Sequence, residues 1–182
     1  MPLGSGLRPM ALTQGMQHCD PIMNHPFPLQ KIVSGGQTGA DRAALDWAII
    51  VGIDHGGWCP QGRRAADGHI PDCYQLRETS SSDYAQRTIW NIRDTDATAI
   101  FSLSPVLRGG TLLTQQWVIR AQKPYLHLHA DMGIPIAAAY LRDFVSQTSI
   151  TVLNLAGPRR SEEPTVGEFL TQVMTTAFTL DG

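Results

Sequence analysis

The chain carries no excess charge of either sign: 14 Lys and Arg stand against 16 Asp and Glu, a formal net charge of −2 over 182 residues. Such a balance provides no global attraction to nucleic acid or to an anionic membrane surface, and neither is expected as a partner. Charged residues make up only 16% of the chain and hydrophobic ones 42%, which excludes a disordered or heavily charged coiled-coil chain and fits a compact globule. Cysteine is scarce. Cys19, Cys59 and Cys73 form an odd set without a Cys-x-x-Cys pair, so neither a disulfide framework nor a zinc cluster is indicated and a reducing, cytoplasmic setting is expected. No apolar run approaches the roughly eighteen residues of a membrane span, and no charged-then-apolar signal pattern opens the chain.

Familiar catalytic signatures are missing too. The first glycine-rich loop lacks the Gly-Lys-Ser/Thr ending of a P-loop, so an ordinary ATPase is disfavoured. Its pattern is GGxxG rather than GxGxxG, and Asp54 lies at the start of the second predicted strand, not at the end where an acid would grip an NAD ribose. There is no nucleophile elbow, and no pair of carboxylates at an acid/base spacing. Glu162 and Glu163 fall in a polar turn.

What is present is regular. Residues 1–29 are rich in Gly, Pro and Met and read as a mobile leader or a segment appended for expression, with one domain over residues 30–180. From Leu29 onward, β-rich runs alternate with helical patterns, the signature of a mainly parallel sheet of about five strands covered by helices on both faces, a three-layer α/β sandwich. Strands are predicted at Gln30 to Ser34, Asp54 to Trp58, Ala97 to Ser104, Pro124 to His129 and Ile150 to Gly157. Helices follow the first strand up to Gly52, then run near Ser82 to Arg93, Thr111 to Ala121, Ile134 to Ser146, and from Pro164 to Thr179. A Gly- and Pro-punctuated loop from Cys59 to Ser82 is left as a lid or a subunit contact.

In a parallel sheet, ligands bind beyond the carboxyl ends of the strands. Three such junctions are anion-friendly. The first holds Ser34, Gly35, Gly36, Gln37, Thr38, Gly39 and, in the first helical turn, Asp41; its glycines permit close backbone approach, and its helix start offers free N–H groups. Asp41 reads either as a complement to the helix dipole or as a ligand to a sugar hydroxyl, an amine or a cation. The second holds Arg108, Gly109, Gly110 and Thr111. The third holds Gly157 and Arg159, with Arg160 beside them. Arg63 in the long loop is a further candidate. His127 and His129 share one face of a strand, and no third metal ligand is evident.

The ordered segments "GGQTGADRAALDWAI", "GWCPQGRRAADGHIPDCYQLRET", "RTIWNIRDTDATAIF", "GGTLLT", "KPYLHLH" and "LNLAGPRRSEEP" together resemble the molybdenum cofactor carrier proteins. These are grouped with the circularly permuted YpsA-like branch of the SLOG superfamily, which also contains the lysine-decarboxylase-like LOG proteins. The likeness runs from Lys31 to Phe178. It implies a Rossmann-like fold, frequent assembly into dimers or tetramers, and an anionic, nucleotide-like ligand: molybdenum cofactor (molybdopterin) for the carrier group, or another nucleotide or phosphate-bearing molecule, with molybdoenzymes as recipients. LOG enzymes cleave nucleoside monophosphates with a PGGxGTxxE segment. Here "RGGTLLTQQ" has Gln115 and Gln116 and no glutamate, which favours holding a ligand over hydrolysing one; a nucleotide-processing enzyme, with Asp41 or Asp67 as base, or a nucleotide sensor are the alternatives.

Overall fold

The computed structural model describes residues 29–178. The predicted arm lies outside the described residues except for Leu29, which is buried in the core, and residues 179 and 180 of the predicted domain lie outside them as well. In chain order the elements are β1 (Lys31–Val33), α1 (Ala40–Val51), β2 (Asp54–Cys59), β3 (Arg64–Ala65), β4 (Gly68–His69), β5 (Leu76–Glu78), α2 (Tyr84–Arg93), β6 (Ala97–Ser102), α3 (Gly109–Arg120), β7 (Tyr125–His129), α4 (Ile134–Gln147), β8 (Val152–Ala156) and α5 (Val166–Phe178). A single 3-10 turn, Ala130–Met132, links β7 to α4.

Six strands form one sheet in the order β5-β2-β1-β8-β6-β7, and every neighbouring pair is parallel. This is the Rossmann-like α/β fold expected, with one strand more than the count of about five. The additional strand is β5, inside the segment read as a loop, and β3 and β4 form a small antiparallel hairpin in the same segment. Two of the three β5 residues, Arg77 and Glu78, are exposed at the sheet edge, so the strand carries no apolar alternation by which to find it. The last helix starts at Val166, after the turn that contains Pro164.

The final strand lies at the centre of the sheet, between β1 and β6. Steps from β1 to β2 and from β6 to β7 run in opposite directions, so right-handed crossovers place α1 and α3 on opposite faces. α1 and α4 both pack on α5, and α2 packs with α3. The α1, α4 and α5 face is sealed by apolar side chains, among them Ala44, Trp47, Leu141, Leu170 and Val173. The other layer is different. Its buried residues are Thr88, Asn91 and Ile92 from α2, and Thr111, Thr114 and Val118 from α3. Short polar side chains leave a polar-lined gap between those helices where leucines would close one.

Candidate functional site

That gap opens at the carboxyl edge of the sheet as a cavity of about 260 Å3, reached by Gln37 and Asp41 from the first junction, Arg87 from α2, Gly110 and Thr111 from α3, and Arg159 from the third junction. A second cavity of about 360 Å3 adjoins it, with Arg108, Gly109 and Ser102 in its wall. Thr111 and Glu162 border both. Along α3, the stretch from Gly110 to Trp117 that lines the first cavity covers about 10 Å at 1.5 Å per residue.

The glycines of the three junctions differ in what lies against them. A Cβ on Gly39 would meet Pro158 O at 2.5 Å, so that glycine allows the first and third junctions to touch backbone to backbone, whereas one on Gly157 would meet Phe101 O of β6 at 2.5 Å and Ala40 Cβ at 2.6 Å. A Cβ on Gly36 would come within 2.6 Å of Leu76 Cδ1, under the long loop. Gly35 lies beneath the Arg87 guanidinium. Of the three junctions, only the second has open space among the described residues: a Cβ on Gly109 or Gly110 would find none of them within 4 Å.

The helix starts differ in the same way. At α1, Ala40 N–H donates to Pro158 O, Gln37 N–H donates to the Asp41 carboxylate, and Thr38 N–H donates to Gln37 Oε1. At α3, the first amide with a partner in the chain is that of Leu112, which donates to Arg108 O; the N–H groups of Gly109, Gly110 and Thr111 form no hydrogen bond among the described residues. An exposed helix start with three free amides favours an anion.

Two side chains sharpen the first cavity. Gln37 is only 4% exposed, and its Oε1 accepts the N–H groups of both Ala66 and Thr38, which fixes the amide orientation and leaves a buried Nε2 without a partner among the described residues. Asp41, 3% exposed, accepts from Arg87 Nη1 at 3.0 Å. Burial pushes the Asp41 carboxyl above its ordinary value, and the Arg87 charge acts against that rise. Arg159 places its guanidinium 5.0 Å from the centre of the Tyr84 ring.

Other predicted residues have structural partners. Ser34 Oγ donates to Leu155 O and ties β1 to β8. Arg63 is turned into its own loop, where its guanidinium donates to the carbonyls of Ile70, Pro71, Tyr74 and Leu76; its φ is 49°. Ser34, Gly35, Gly36 and Arg63 border neither of the two cavities, and Thr38 and Gly39 border a separate surface hollow with Arg42 and Arg160. Arg42 pairs with Asp67 and donates to Gly36 O, knitting the long loop to the first junction; its hydrogen bonds hold the Asp67 carboxyl below its ordinary value. His127 Nε2 lies 2.7 Å from Ser102 Oγ, and burial lowers the pKa of that imidazole. Among the described residues no group of three His, Cys, Asp or Glu side chains converges on a metal position.

The reading of the sequence missed Arg87, Tyr84, Thr88, Thr114, Trp117 and Glu162, all of which line the first cavity. One signal was available: polar Thr88, Thr111 and Thr114 occupy helix positions that otherwise face a sheet. Glu162 and Glu163 are not equivalent. Glu163 accepts the Leu103 N–H, whereas Glu162 faces the cavities with its Oε2 3.4 Å from the Arg159 N–H that it accepts.

A family model described as the circularly permutated YpsA SLOG family matches residues 32–178. Among solved structures, the chain is similar to a "Putative molybdenum carrier protein" from Syntrophus aciditrophicus SB, with 42% identity and a TM-score of 0.82 over 84% of this chain and 96% of the other. No curated protein matches. No described helix is long and apolar enough to cross a membrane.

Proposed function

From a chain that belongs to the circularly permutated YpsA SLOG family, we propose a binding and carrier protein for a phosphorylated anionic cofactor, with molybdenum cofactor as the first candidate. The observation that carries this reading is the open start of α3: among the described residues, three amides have no partner and two glycines face free space, in the cavity wall that also contains Gln37 with its unpartnered Nε2. Gly109, Gly110, Thr111 and Gln37 would hold the phosphate, with Arg108 and Arg159 adding positive charge nearby. The joined cavities, bordered by Tyr84, Leu113 and Trp117, suit a ring attached to that phosphate. Molybdenum cofactor would bring a pterin and a redox-active oxo-molybdenum centre. The chain's own part is to bind it and shield it from water.

Neither proposed base favours turnover, since Asp41 is closed in by Arg87 and Asp67 is held by Arg42. Metal analysis and pterin fluorescence of protein purified from a molybdenum-replete host test the carrier reading. Stoichiometric molybdenum and pterin are expected; absence of both, together with no affinity for added cofactor, refutes it. Assembly into a dimer or tetramer and transfer to molybdoenzymes belong to the same proposal, and exposed Leu112, Leu113 and Ile119 on α3 supply an apolar face for contact with another subunit.

One observation favours a second reading. Glu162 is a carboxylate beside the α3 start with no cation partner among the described residues, and could serve as the base that the "RGGTLLTQQ" segment lacks. Release of free base from nucleoside monophosphates, abolished by Glu162→Gln, would establish it.

A further inference from the structure

We infer that Arg87 is the cationic anchor for the ligand's phosphate, and that Gly35 and Asp41 exist as a pair to seat it there: Gly35 clears the space the guanidinium occupies, and Asp41 fixes its orientation. The inference rests on the phosphate-binding reading above and adds to it the residue that selects charge.

The geometry leaves Arg87 little other purpose. Its side chain, 13% exposed, crosses from α2 to the first junction, and a Cβ on Gly35 would lie 1.8 Å from Nη1 and 2.4 Å from Cζ. Gly35 does not have a positive φ, so its backbone does not require glycine; the guanidinium does. Arg87 donates to Asp41 through Nη1, and its Nε is buried without a partner among the described residues, as is that of Arg42. Arg87 differs from Arg42 in bordering the first cavity, together with Gln37, whose Nε2 is also unpartnered, and with Gly110 and Thr111, whose amides form no hydrogen bond among the described residues. Three kinds of donor without acceptors among the described residues, a guanidinium, a side-chain amide and two backbone amides, thus belong to residues that border one cavity, a set that suits an oxyanion with several acceptor oxygens. Asp41 compensates the arginine in the absence of ligand, which allows a charge at this depth to be tolerated. A neutral hydroxyl could satisfy one of these donors but not the set, so the ligand class is a phosphate monoester or another tetrahedral oxyanion.

The experiment compares affinities by calorimetry for inorganic phosphate and for 5′-nucleoside monophosphates against the matching nucleosides. Wild type should prefer the phosphorylated form by at least about tenfold, as a charge-assisted contact provides. Arg87→Gln alone leaves Asp41 unpaired and threatens the fold, so the informative variant is the double change Asp41→Asn with Arg87→Gln, which removes both charges; its thermal unfolding is measured first. That variant should lose most of the preference for the phosphorylated form over the matching nucleoside, about 10- to 100-fold. Gly35→Ala, which displaces the guanidinium without altering charge, should lower the same preference, and Arg87→Lys, which keeps the charge and the pairing with Asp41, should retain part of it. A folded double variant that keeps the wild-type preference overturns the inference and leaves the carrier reading standing. Wild-type protein that binds neither these probes nor added molybdenum cofactor overturns both.

Discussion

Glycine chemistry in this chain separates into two jobs that the letters of the sequence do not distinguish. Gly39, with φ 93°, serves contact between two loops and Gly157 close packing on β6 and α1, whereas Gly110 faces open space among the described residues. Gly39→Ala should cost more than about 2 kcal/mol in urea unfolding, because both its backbone angle and Pro158 O oppose a Cβ. Gly110→Ala should change stability by less than about 1 kcal/mol, and any loss should fall on ligand affinity instead. Asp41 has its own signature. A carboxyl whose folded pKa is raised above the unfolded value of about 3.9 contributes most at low pH, and that contribution is lost as pH rises through the folded pKa. Asp96 is the reverse case: hydrogen bonds from the backbone of Val152 and Thr151 depress its pKa, so its contribution holds above the unfolded value and fades as pH falls through the folded one. Denaturant midpoints across pH should therefore show Asp41→Asn gaining on wild type as pH rises from about 4. Asp96→Asn should make acid unfolding shallower, with a loss near neutral pH of about 1 kcal/mol given its exposure.

At the level of elements, α1 and α3 begin alike, each with glycines after a parallel strand, yet the first amide of α1, that of Ala40, is bonded to Pro158 O, whereas those of Gly109, Gly110 and Thr111 at α3 form no hydrogen bond among the described residues. The periodicity of α1 was plain in Ala44, Trp47 and Ala48, and the helix formed where it pointed. What its start would touch was not legible, since Pro158 is distant in sequence and reaches Ala40 only through sheet order. The same is true of β5, which pairs with β2 at the edge without an apolar pattern of its own. Asn91 of α2 does comparable work for β2: beyond the end of β1, its Oδ1 accepts the Trp58 N–H at 2.7 Å and its Nδ2 donates to the Trp58 carbonyl at 3.1 Å. Asn91→Ala leaves both backbone groups without their partner and should cost about 2–3 kcal/mol in urea unfolding.

Across the whole molecule, the placement of β8 couples the two ends of the described chain. Leu153 and Leu155 are fully buried, and β8 pairs with β1 on one side and β6 on the other. Removal of residues 149–182 should therefore abolish cooperative unfolding, as followed by circular dichroism, because β1 and β6 lose their shared neighbour and α1 and α4 lose α5. By itself the sequence determined the class of fold, through alternating strand and helix periods, and the chemical bias of its junctions, through glycine and arginine placed after strands; both are local properties that short windows encode. Tertiary structure decided which junction stays open. That outcome depends on long-range packing: Arg87 settling over Gly35, Pro158 against Ala40, and the first and third junctions closing on each other while the start of α3 remains free.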